Sequence, residues 1–135
     1  MAAFIYLAYP DKLSEPATDI APILLDDNGA YWFLYRYFQA AKLSTENGDL
    51  IDLYDGGVID GYQLHRLKTE LDQALVDIWV KPETWYVLTG WAGLKDVASE
   101  IWSEVQRIEL IQIVNNLLAL IGGVSGQLKL VYSGD

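Results

Sequence analysis

Apolar residues return at helical spacing in separate stretches of this chain, and each stretch is bounded by residues that stop a helix. In residues 30–42, Tyr31, Leu34, Tyr35 and Phe38 stand at i, i+3, i+4 and i+7, so one face of a helix collects them. Asp26, Asp27 and Asn28 offer capping side chains just before it. In residues 61–80 the stripe is Leu64, Leu67, Leu71, Ala74, Leu75 and Ile78; Asp60 is placed to cap it and Pro82 to end it. In residues 108–121 the apolar set (Ile108, Leu110, Ile111, Val114, Leu117, Leu118, Ile121) covers most of the circumference, which predicts a helix nearly enclosed by other elements. Gly122-Gly123 ends it.

Between these stretches lie short β-prone runs. Residues 4–9 are apolar and stop at Pro10, residues 83–91 are rich in aromatic and β-branched side chains, and residues 128–132 read as a last strand. Residues 97–105 leave two readings open: a strand pairing with the one before, or a helix running into the next element. Residues 11–22 read as a surface loop, and Asp55-Gly56-Gly57 as a turn. The order is β-α-α-β-(β)-α-β. Strands outside strict βαβ alternation predict an α+β fold, a small and mostly antiparallel sheet packed against about three helices. No repeat or Pro/Ser linker divides the chain, so residues 1–135 are expected to form a single domain.

Charge narrows the function. The chain carries a net −10 on 135 residues, and ten acids against three bases fall in its first 65 positions. Residues 43–65 hold Glu46, Asp49, Asp52, Asp55 and Asp60 with no Lys or Arg. Such a field favours solubility and the steering of a basic partner. Nucleic acid and anionic membrane surfaces call for clustered bases, and the nine here are scattered, so neither is expected as a partner. No apolar run approaches the roughly 18 residues that span a bilayer. Cysteine is absent, which removes disulfides and thiolate metal sites. A soluble, cytoplasmic protein without cofactor is expected.

Catalytic patterns are weak. His65, the lone histidine, lies at the rim of the apolar stripe of residues 61–80 and reads as a helix-surface residue. Val124-Ser125-Gly126 is a glycine turn rather than a nucleophile elbow. Asp49, Asp52 and Asp55 are spaced by three, whereas a calcium loop of the EF-hand type spaces its first acids by two. No metal site is expected. The aromatic run 31–38 is denser than a single core-facing stripe requires, and Trp32, Arg36 and Tyr37 belong to the residue types that dominate binding interfaces. Acids would set the association rate there and aromatics would hold the complex.

Further residues carry a resemblance. The chain opens on Ala8-Tyr9-Pro10 after a short strand, continues through Leu24-Leu25-Asp26-Asp27-Asn28-Gly29-Ala30-Tyr31-Trp32 and Ile51-Asp52-Leu53-Tyr54, and closes on a leucine-rich helix and Tyr132-Ser133-Gly134-Asp135. In this it resembles the small acidic bacterial immunity proteins of polymorphic or contact-dependent toxin systems. The resemblance implies a non-enzymatic inhibitor that binds a cognate toxin. The expected partner-binding residues are Asp26, Asp27, Trp32, Arg36, Tyr37, Glu46, Asp49, Asp52, Asp55 and Asp60. Two alternatives come from other classes. One is a two-carboxylate hydrolase with Trp79, Trp85, Trp91 and Trp102 as sugar-stacking platforms; the other is a homodimer closed by the last helix.

Overall fold

Residues Ala2–Ala8 form a strand, β1, that lies between two others because both of its faces are apolar. In the computed structural model, which describes residues 2–17, 20–26, 28–41, 56–59, 61–93 and 99–134, the chain continues through β2 (Ile23–Asp26), α1 (Gly29–Ala40), β3 (Gly56–Ile59), α2 (Gly61–Trp79), β4 (Thr84–Ala92), β5 (Ser99–Gln106), α3 (Arg107–Gly122) and β6 (Lys129–Gly134). The fold is α+β, and every strand pair among the described residues is antiparallel. The larger sheet has the order β2-β1-β6-β3; β4 and β5 form a separate two-stranded sheet.

Side chains alternate across a strand, and β1 divides accordingly. Ile5 and Leu7 join Leu25, Ile59, Leu130 and Tyr132 against the helices, while Tyr6 and Ala8 pack with Val131 and Val58 on the opposite face. There the Tyr6 hydroxyl donates to the Leu13 carbonyl at 2.8 Å and the Ala17 amide to the Leu7 carbonyl at 2.8 Å, so the loop after β1 lies over this face. Helix α1 begins at Asn28, whose side-chain oxygen accepts from the amides of Ala30 and Tyr31. Helix α2 follows its predicted stripe closely: Leu67, Leu71, Ala74 and Ile78 are buried, Leu64 and Leu75 half-buried. The helix packs on both α1 and α3.

The structure departs from the sequence reading at particular places. Gly56 and Gly57 lie in β3 rather than a turn, with Gly57 opposite Tyr132, whose ring occupies the space a side chain would take. Strand β2 lies just beyond the loop read over residues 11–22 and has no counterpart in the sequence reading; its four residues are too few for alternation to stand out. Residues Ser99–Gln106 are strand, which settles the open reading of residues 97–105 for the part described. Helix α3 is not enclosed on all sides. Glu109, Gln112, Asn115, Asn116 and Ala119 fall on one exposed strip, and Ile108, 60% exposed, lies within it. Leu110, Ile111, Val114, Leu117, Leu120 and Ile121 pack the opposite side of the helix into the core.

Candidate functional site

The β4–β5 hairpin has one face on the body of the protein and one face toward solvent. Trp85 pairs across the strands with Val105, and both look inward: the Phe33 ring of α1 meets Trp85 edge-on at 5.5 Å, and Gly29 packs under Val105. On the other face, Tyr86 pairs with Glu104, Leu88 with Trp102 and Trp91 with Glu100. A register shift between Leu88 and Gly90 inserts Thr89, which brings Trp91 onto the same face as Leu88. The Thr89 hydroxyl lies 3.1 Å from the Ser103 hydroxyl and donates to the Ile101 carbonyl, which pins the irregularity. Tyr86, Trp91 and Trp102 are 62%, 63% and 53% exposed, so large aromatic rings lie in water beside two glutamates. The Tyr86 hydroxyl donates to Glu104 at 3.3 Å.

A groove separates this hairpin from α1. It encloses about 280 Å³ and is lined by Trp32, Phe33, Arg36, Lys81, Trp102 and residues 85–88 of β4. Arg36 lies over the rings of Phe33 and Tyr37, with its guanidinium carbon 5.1 and 4.8 Å from their centroids. Its Nη2 donates to the Tyr37 hydroxyl at 2.7 Å, which in turn donates to Asp77 Oδ2 at 2.6 Å. Gln73 donates to the other oxygen of the same carboxylate at 3.0 Å. Burial, followed by the bond to Asp77, pushes the Tyr37 hydroxyl up to about 12, with Arg36 opposing. The donated bonds of Tyr37 and Gln73 hold the Asp77 carboxyl below its usual range. Lys81 lies over Trp85, 5.7 Å from the ring centre. A second hollow, of about 370 Å³, lies where β4 and α3 begin. Its Arg107 is committed to the fold: the amide donates to the Glu83 carbonyl and Nη1 to the Lys81 carbonyl.

The expected partner-binding residues are only partly brought together. Trp32 is half-buried, edge-on to Tyr31 and tilted on Tyr35, and reaches the groove. Arg36 is exposed there. Tyr37 is 4% exposed, and its hydroxyl accepts from Arg36. Asp26 is exposed at the end of β2, in the other sheet. Asp27, Glu46, Asp49, Asp52, Asp55 and Asp60 lie outside the described residues. The exposed aromatics Tyr86, Trp91 and Trp102, with Glu100, Glu104 and Lys81, were not among the expected site residues. The signal for them is present in the sequence: aromatic or large apolar side chains occupy both alternation phases of residues 85–91, more than a single buried face accepts. Trp79, considered as a sugar platform, is exposed at the end of α2 with Val76, and Val80 just beyond the helix is exposed beside it in sequence.

His65 is exposed on α2, as expected. Among the described residues no three His, Asp or Glu side chains are grouped to hold a metal ion, and no helix is long and apolar enough to cross a membrane. Comparison with protein-family models, with curated proteins and with solved structures finds no match to this chain.

Proposed function

We propose that this chain is a non-enzymatic inhibitor of the immunity type, which neutralises a cognate bacterial toxin by binding it through the outer face of β4–β5. The observation that carries the reading is the exposure of Tyr86, Trp91 and Trp102 together on one side of a two-stranded sheet, flanked by Glu100 and Glu104. Water is a poor environment for such a surface. Burying the exposed part of one tryptophan ring, on the order of 100 Å², is worth about 2.5 kcal/mol. Neighbouring exposed aromatics of this kind mark an interaction surface more than a solvated one.

The two glutamates and the chain's net charge of −10 fit a basic partner, raising the encounter rate and disfavouring acidic competitors. This relocates the binding face proposed from the sequence. The acids of the N-terminal half supply the long-range field, and the contact surface belongs to the hairpin. The toxin reading rests on the resemblance to immunity proteins, whose genes adjoin those of their toxins. The test is co-expression with the product of the adjacent gene. Co-purification and protection of the host from that product are expected. A neighbouring product that neither binds nor is neutralised overturns the reading.

A further inference from the structure

The groove between α1 and β4 shares Tyr86, Leu88 and Trp102 with the outer hairpin face but differs from it in charge. The charged residues that line it, Arg36 and Lys81, are both cationic, in a chain whose net charge is −10. Glu104 does not line it and accepts from Tyr86 on the outer face, and Asp77, the carboxylate on which both cations act, is bonded to Tyr37 and Gln73. Arg36 is built into place: its guanidinium carbon lies over the rings of Phe33 and Tyr37, and one of its five N–H donors is fixed on a buried tyrosine that is itself anchored to Asp77. A guanidinium stacked on rings and held in one orientation is suited to receive a carboxylate with two parallel hydrogen bonds.

Four consecutive residues of β4, 85–88, form one wall of the groove. The sheet has only two strands, so β4 has a hydrogen-bonded neighbour on one edge, β5, and none on the other among the described residues. An open strand edge is a template for an added strand. We propose that this groove docks an extended acidic segment of a partner protein, whose carboxylates meet Arg36 and Lys81 and whose main chain pairs with the open edge of β4. Trp32, Trp85 and Trp102 provide apolar surface for the side chains between the acids. The groove shares Tyr86, Leu88 and Trp102 with the outer face, but its test involves no toxin, so its failure is distinguishable from that of the inhibitor reading.

The probe is a capped pentapeptide alternating valine and glutamate, titrated into ¹⁵N-labelled protein at low salt and followed by amide chemical shifts. Saturable shifts centred on residues 85–88 and on Arg36 are expected. Affinity should fall at least about tenfold for the peptide with lysine in place of glutamate, for Arg36→Gln, and for Lys81→Gln, since a hydrogen bond to a charged group is worth on that order. Methylating the peptide's alternate amide nitrogens should abolish binding in one register and spare it in the other, which reads strand pairing directly. No saturable shifts, equal binding of the lysine peptide, or indifference to Arg36→Gln and Lys81→Gln overturns the docking site. Tolerance of methylation in both registers overturns the strand pairing.

Discussion

Replacing Tyr37 by phenylalanine removes one oxygen from the centre of the chain of bonds that fixes Arg36. The ring stays buried against Phe33 and only the hydroxyl is lost, so packing is conserved. The lost bond is short, 2.6 Å, and its acceptor is ionised. Hydrogen bonds to charged groups contribute about 1.5–3 kcal/mol. Asp77 is half-buried and keeps its bond from Gln73, so water can replace part of the loss, and the lower end applies, about 1.5 kcal/mol. For a domain of this size that lowers Tm by about 5 °C.

The pH dependence identifies the bond. Because the folded Asp77 carboxyl is held below its ordinary value of 3.8, its contribution is present above that value and lost as pH falls through the folded one. Tyr37, raised from 10.0 to about 12, contributes stability that is whole below pH 10 and is lost as pH rises toward the folded value. Urea unfolding of Tyr37→Phe and the parent protein should therefore differ by a constant amount across neutral pH. The gap should shrink as pH falls below 3.8 toward the folded value of Asp77, since a neutral acceptor makes the weaker bond, and narrow again above pH 10. A gap under about 0.5 kcal/mol at pH 7, the floor for a hydrogen bond of any kind, refutes this assignment, and so does a gap that does not narrow at all as pH falls below 3.8.

Other consequences concern the ends of elements and the hairpin face. Asn28→Ala removes the oxygen that accepts two amides at the start of α1 and should cost about 1 kcal/mol in urea unfolding. Gly29→Ala sets a methyl against Val105 Cγ1, a stiff and buried side chain, and should cost about 1–3 kcal/mol despite alanine's better helix propensity. Charge reversal of Glu100 and Glu104 to lysine should leave stability within about 0.5 kcal/mol, since both are exposed. Stopped-flow association with the basic partner should nevertheless slow severalfold at low salt, and the difference should fade as salt screens the charges.

The helices were legible because burial imposes a period of 3.6 on long segments. Leu67, Leu71, Ala74 and Ile78 mark α2 with enough repeats to fix its face, and Pro82 marks the end to within a few residues. Strand β2, with Ile23–Asp26, offers too few alternations to separate from a loop. Strand β3 was hidden behind its glycines, which usually signal a turn and here admit the ring of Tyr132. The candidate site was legible in part. Trp32 and Arg36 were found from the aromatic surplus of α1, and both reach the groove. Tyr37 shared the composition but not the exposure, because it falls on the face of α1 turned toward α2. Trp91 and Trp102 could not be brought together from sequence, since their common face depends on the pairing register and on the extra residue at Thr89.

The central claim, that the outer face of β4–β5 holds the partner, is tested most directly by the dissociation constant for the adjacent-gene toxin domain measured with the parent protein and with the Trp91→Ala, Trp102→Ala double variant. Two central aromatic anchors predict a loss of about 2 kcal/mol or more each, so the constant should rise by at least about a hundredfold while unfolding stability stays close to that of the parent. A constant within about threefold of the parent, which is under 1 kcal/mol, contradicts the account.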